Sequence, residues 1–253
     1  MSGTLFGLGV GPGDPELLTL KAHRILTGAA VIAYPAPDDG ESFARSIVAQ
    51  YLRADQLEIP IIIPMRVERF PAKAVYDEAA ITLGAHLRAG SDVVVLCEGD
   101  PFFYGSFMYL FERLAGEFAV EIVPGVSSMM ASAAALQRPL AARNDVLTVI
   151  PAPLDDTTIS ALLKQSDAVA IMKIGRHFRR IRALIEAEGL TDCAGYLERV
   201  TLANQKVLAL SDAGEDTAPY FSMILIYKGA ENWVTDLRVP SSPVPAPQTG
   251  TPQ

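Results

Sequence analysis

The opening stretch limits the fold more than any other part of the chain. Thr4-Leu5-Phe6-Gly7-Leu8-Gly9-Val10-Gly11-Pro12-Gly13-Asp14 reads as a buried strand running straight into a glycine-rich turn. Pro15 then opens a helix, with Asp14 placed to cap it. Glycines at such a junction let the backbone approach a ligand closely. The spacing is not that of a dinucleotide loop: counted from Gly7, Pro12 stands at the last glycine position, and counted from Gly9, Asp14 does. The terminal Lys-Ser/Thr of a phosphate loop is absent, and Asp14 is a poor neighbour for a phosphate. NAD and ATP therefore lose ground, while a tight turn without a ligand stays open.

The pattern then alternates. Glu16 to Leu26 has helical spacing and Ala30 to Tyr34 reads as a strand stopped by Pro35, the opening of a βαβ layout. Helices are expected over 43–52, 76–88, 107–114 and 129–136, and strands over 92–97 and 119–123, with 59–63 a short apolar segment interrupted by proline. The near-unbroken apolar run 92–97 fits a parallel strand covered on both faces. Pro139 to Asp145 is the expected boundary. After it come strands over 146–150, 168–172, 195–197, 206–209 and 223–227, with helices over 158–164 and 178–187. The domains are thus expected at 1–140 and 141–238, and the proline- and serine-rich end, 239–253, as a disordered tail.

Composition narrows the function classes. Of 253 residues half are hydrophobic, so a large core is expected and global disorder is not. The net charge of −8 disfavours unspecific binding to nucleic acid or an acidic membrane, although it does not exclude a local basic pocket. Two cysteines, Cys97 and Cys193, make no secreted disulfide framework, and three scattered histidines have no metal-ligand spacing. No signal-like start and no membrane-length apolar run is evident, so a cytoplasmic location is expected.

Two further strand-end turns accompany the first. Glu98-Gly99-Asp100-Pro101-Phe102-Phe103-Tyr104-Gly105-Ser106 follows a parallel strand, where open α/β sheets bind ligands. Asp100 there either accepts hydrogen bonds from a sugar or amino group or caps the helix that follows. Pro124-Gly125-Val126-Ser127-Ser128 offers two hydroxyls, for a ligand or for another cap. Together the three turns predict a crevice ligand with amine, hydroxyl and carboxylate handles and no phosphate, a description that S-adenosylmethionine fits.

These residues resemble the tetrapyrrole methylase family, the S-adenosylmethionine-dependent methyltransferases of corrin and sirohaem synthesis. The resemblance covers Leu5 to about Lys228. It rests on residues 9–14, 98–101 and 124–128, on Met172-Lys173 and on Ser222-Met223-Ile224-Leu225. It is strongest to members that methylate C20 of precorrin-2 to give precorrin-3A. Residues 11–22 and 100–106, Pro64-Met65, Glu198-Arg199-Val200 and Tyr220-Phe221-Ser222 carry that part. Thr201 to Gln205 stands where uroporphyrinogen methylases have Gly-Thr-x-x-x-Gln, which favours a later step.

The resemblance implies a two-domain α/β fold, with a mostly parallel Rossmann-like N-terminal sheet and a mixed C-terminal sheet. It also implies a homodimer, and a cofactor folded between the domains. Gly9 and Pro12 would border the active-site mouth, while Gly99, Asp100 and Phe103 would hold the methionine and ribose parts. Ser127 and Ser128 would touch the cofactor as well, and Met172 and Leu225 would flank the adenine. S-adenosyl-L-homocysteine would be the product, with no resident metal.

Methyl transfer to a meso carbon ends with loss of a proton, for which the sequence names no single base. His177 is better placed than His23 or His86, and Tyr104 and Glu198 are comparable candidates. Each has a packing or hydrogen-bonding alternative. A polycarboxylate substrate on an acidic chain calls for a local cationic rim, with Arg24, Arg66, Arg138, Arg143, Arg176 and Arg179 as candidates. Rival readings are the same step on cobalt-factor II, another ring carbon, a non-catalytic cofactor-binding regulator and an NAD dehydrogenase.

Overall fold

The computed structural model describes residues 2–64, 71–214 and 218–229, with backbone alone at 71 and 72. Met65, Arg66 and the tail expected over 239–253 lie outside the described residues. The chain divides into two units, Met1–Ser127 and Ser128–Gln253.

In the first unit β1 (Thr4–Gly9) leads into the turn at 10–14. The helix expected from Glu16 is split. Asp14 accepts from Glu16 N at 2.8 Å and starts a single 3-10 turn over Pro15–Leu17. Leu18 is then extended, and Thr19 caps α1 (Leu20–Gly28) by accepting from Ala22 N at 3.1 Å. Next come β2 (Val31–Pro37), α2 (Phe43–Val48), β3 (Leu57–Ile63), α3 (Pro71–Arg88), β4 (Val93–Cys97), α4 (Phe107–Leu114) and β5 (Ala119–Val123).

β2 does not stop at Pro35. Its pairing with β4 ends at Ala33, so Pro35 and Pro37 lie where only β3 needs hydrogen bonds. β3 is the outermost strand, which tolerates Pro60 for the same reason.

The sheet order is β3-β2-β4-β1-β5, and every pairing is parallel. β4 is buried throughout: Val93, Val95 and Cys97 meet α3 and α4 on one face, and Val94 and Leu96 meet α1 and α2 on the other. Gly7 is required in β1, because a Cβ there would lie 2.5 Å from the buried Phe107 ring of α4.

The second unit opens with α5 (Ser128–Leu136), followed by β6 (Leu147–Pro151), α6 (Asp156–Gln165), β7 (Ala168–Met172), α7 (Phe178–Ala187), β8 (Ala194–Glu198), β9 (Lys206–Ala209) and β10 (Ser222–Tyr227). Its order is β6-β7-β10-β8-β9, with β6 and β7 parallel and the other pairs antiparallel. One core joins Ile150, Ile159, Leu163, Ile171, Phe178, Ile181, Tyr196 and Ile224. α5 falls in this unit, ahead of the loop read as the boundary. Its Leu136 packs where a side chain on Gly195 would have to sit.

Candidate cofactor and substrate site

β1 and β4 are neighbours, yet their outgoing connections diverge. The chain passes from β1 to β2 on one side and from β4 to β5 on the other. Open α/β sheets bind ligands at the carboxyl ends of such strands. Here the two turns are joined to each other: Val10 N donates to Cys97 O at 2.9 Å, Gly99 N to Gly11 O at 2.8 Å and Gly11 N to Gly99 O at 3.3 Å. The third turn closes on both, since a Cβ on Gly125 would lie 2.0 Å from Gly99 O and 2.8 Å from Gly9 Cα.

Asp100 fastens this arrangement. Its Oδ1 accepts from Phe102 N at 2.9 Å and Phe103 N at 3.1 Å, and its Oδ2 accepts from Gly125 N at 3.1 Å. The carboxylate thus pins its own turn and ties it to the next, a wider role than the cap considered from sequence. Phe103 stands edge-on to Tyr104, which is 43% exposed and has a left-handed backbone (φ 57). Ser127 is buried at the end of the third turn, and Ser128 begins α5.

Glu98 is a residue that sequence reasoning left without a role. Burial pushes its carboxyl above the usual range, against the smaller opposing effect of the Glu98 and Ala44 backbone amides. Burial likewise raises the Cys97 thiol, with the Glu98 charge adding to it, so Cys97 is an inert core group. Residues 10–14, 98–106 and 124–128 together carry Asp14, Glu98 and Asp100 and no lysine, arginine or histidine. That donor set fits a cationic sulfonium and ammonium with ribose hydroxyls. It does not fit a di- or triphosphate.

In the second unit Met172 ends β7 and pairs with Met223, whereas Leu225 lies two residues further into β10, opposite Ala170 and Gly195. Met223, unselected from sequence, is therefore the β10 residue level with Met172. An alternation count from the start of β10 is the signal that would have found it.

His177 stands at the start of α7. Burial, then Arg180 and Arg176, lower its pKa, so it is neutral at neutral pH. Arg180 turns back to Asp156 and the Ala152 carbonyl, and Arg182 to Glu186 and the Ala213 carbonyl. Arg138 donates to Cys193 O at 3.3 Å. Glu198 is 2% exposed, accepts from Tyr196 Oη at 2.9 Å and Arg199 Nη1 at 2.8 Å, and lies 3.3 Å from Lys206 Nζ. That network was missed because the register pairing Glu198 with Lys206 across β8 and β9 is not visible in the sequence.

No group of three or more histidine, cysteine, aspartate or glutamate side chains suited to a metal occurs among the described residues. Among the described residues no helix is long and apolar enough to cross a membrane.

Fold and turns define a two-unit α/β protein whose first sheet is parallel and Rossmann-like, with acid-bearing glycine turns at its strand ends. The chain belongs to the tetrapyrrole (corrin/porphyrin) methylases, whose family model matches residues 4–213. It is 40% identical over 232 residues to the precorrin-2 C(20)-methyltransferase of a Sinorhizobium species, covering 88% of this chain and 95% of that one. It is 41% identical over 235 residues to the cobalamin biosynthesis protein CobIJ of Mycobacterium tuberculosis, across 90% of this chain. There the chain spans less than half of the relative's length, 46%. Among solved structures, a cobalt precorrin-4 methyltransferase superposes with a TM-score of 0.68 at 24% identity, covering 92% of this chain and 96% of that one. That likeness concerns the fold.

Proposed function

We propose that the chain transfers a methyl group from S-adenosyl-L-methionine to C20 of precorrin-2, giving precorrin-3A and S-adenosyl-L-homocysteine in cobalamin biosynthesis. The observation that carries the reading is the 40% identity along nearly all of a relative named for that reaction. Three strand-end turns free of cations, two of them carrying carboxylates, support it.

When bound, S-adenosylmethionine supplies an electrophilic methyl on a positively charged sulfur. The chain's own work is placement. Gly9, Pro12, Gly99, Asp100, Phe103, Ser127 and Ser128 are the proposed cofactor contacts, and Met172 and Leu225 the proposed neighbours of the adenine. The Asp100 carboxylate already holds three amides, so it acts chiefly by fixing the backbone groups that meet the ligand. C20 is electron-rich because the adjoining pyrrolic nitrogens donate into it. In-line positioning therefore supplies most of the rate.

Of the proposed proton acceptors, His177 is held neutral and has a free lone pair for the meso proton. Tyr104 is exposed on its turn, whereas Glu198 is ion-paired. A homodimer in the cytoplasm belongs to the same reading.

Methyl transfer from labelled S-adenosylmethionine, measured side by side on precorrin-2 and its cobalt-bearing counterpart, tests the proposal. The expected product has gained one methyl, placed at C20 by NMR, and the metal-free substrate is preferred. Uptake of S-adenosylhomocysteine without turnover of either substrate would mean a non-catalytic binder. A methyl on another carbon would refute the C20 assignment.

A further inference from the structure

Among the described residues, Tyr104, Gln137, Arg143, Lys173, Arg199 and Thr201 are the non-glycine residues with φ in the left-handed region. Such a backbone is costly and persists only where its surroundings fix it, often beside a ligand. Arg199 and Thr201 share one short loop leaving the carboxyl end of β8. β7 and β8 both run antiparallel to β10, and Met172 and Leu197 pair with the same residue, Met223. Leu197 is therefore level with Met172, and Glu198 and Arg199 follow it at the same edge of the sheet at which Lys173 follows Met172.

The loop is fixed by three backbone contacts. Arg199 N donates to Phe221 O at 2.8 Å, Leu202 N to Arg199 O at 3.0 Å and Thr201 N to Gln205 Oε1 at 2.8 Å. The Arg199 side chain is fixed separately by Glu198. That buried carboxylate is itself held by the hydroxyl of Tyr196, whose ring packs on Phe178 with centroids 4.9 Å apart. One anion thus faces two cations, Arg199 and Lys206.

A guanidinium carries five N–H donors. Glu198 takes one of them, and among the described residues the other four meet no protein acceptor. The side chain is 33% exposed. A guanidinium anchored at one nitrogen and open along its remaining edges is ready to take a second carboxylate fork-on.

We propose that Arg199, oriented by Glu198, is a clamp for an acidic side arm of the tetrapyrrole, with Glu198 a positioning residue rather than the proton acceptor. The inference rests on the substrate reading above. It supplies the cationic contact that a polycarboxylate needs on a chain of net charge −8.

The test compares methylation kinetics and S-adenosylhomocysteine calorimetry for the wild type, Arg199→Ala, Arg199→Lys and Glu198→Gln. Losing a charged hydrogen bond should raise the KM of Arg199→Ala for precorrin-2 about tenfold or more, with kcat and cofactor affinity within about twofold. Arg199→Lys should recover only part of this, because an ammonium cannot bridge Glu198 and a second carboxylate in one plane. Glu198→Gln should raise KM and leave the pH profile of kcat in place.

Unchanged KM in folded Arg199→Ala overturns the clamp; where that variant does not fold, Arg199→Lys decides by the same readout. A Glu198→Gln variant that loses kcat at constant KM overturns the positioning role. A wild type that methylates neither form of the substrate overturns the underlying reading, a result obtained before any variant is compared.

Discussion

At the scale of single residues, the first unit depends on where two carboxyl groups of one turn point. Asp100 faces backbone amides and Glu98 faces the interior. Asp100→Ala deprives Phe102, Phe103 and Gly125 of a charged acceptor at once. With water replacing part of what is lost, the expected destabilisation is about 2–4 kcal/mol. Affinity for S-adenosylhomocysteine should fall with it, because the same amides set the shape of the proposed cofactor turn. Thermal melting and calorimetry on one preparation check this; a lowered Tm with unchanged affinity would remove the cofactor from that turn.

Glu98 behaves in the opposite way. Its folded-state pKa is raised by burial, so its favourable contribution is complete below the unfolded value of about 4.3 and is lost as pH rises through the folded value. Glu98→Gln should therefore gain stability relative to the wild type between pH 4 and pH 8. Urea midpoints for the pair across that range measure it, and a pH-independent difference would show that the carboxyl ionises without cost.

At the scale of elements, Gly7 joins β1 to α4. Phe107 is almost fully buried and cannot swing away, so Gly7→Ala forces an overpacked contact costing about 1–3 kcal/mol. Adding Phe107→Leu should recover part of that loss, and a double-mutant cycle from urea unfolding would reveal the coupling; strict additivity would mean the strand and ring do not compete for the same space.

Elements such as these were largely legible beforehand, because period and burial agree in them. The all-apolar β4, the helix α4 and the strands β5 and β7 follow the expectations drawn from their residues. Misreadings arose where one local rule competed with another. Thr19 captured the start of α1 that Pro15 seemed to own, and Pro35 sits in a strand whose second neighbour has already ended. The glycine turns were visible as turns, but their fusion through Asp100 and Gly125 was not. A contact across 25 residues leaves no periodic trace. Glu198 was noticed in the sequence as a titratable group, although its two cations, and with them its pairing, depend on the β8–β9 register.

At the scale of the whole molecule, each unit has a core of its own, and a ligand that binds only the folded chain must raise its stability by mass action. S-adenosylhomocysteine at a hundred times its Kd should contribute about 2.7 kcal/mol, which for a chain of this size corresponds to a Tm increase of roughly 5–11 °C. NAD and ATP at equal concentration should leave Tm unchanged. Their phosphates would meet Asp14 and Asp100 on turns that offer no compensating cation. If the units melt separately, the increase belongs to the transition that includes these turns, and Asp100→Ala should reduce it in the same proportion as its affinity. A scan in which the dinucleotide stabilises the chain and the thioether nucleoside does not would reverse the ligand assignment. It would also mean that the carboxylates at the ends of β1 and β4 do not govern which charge the first unit accepts.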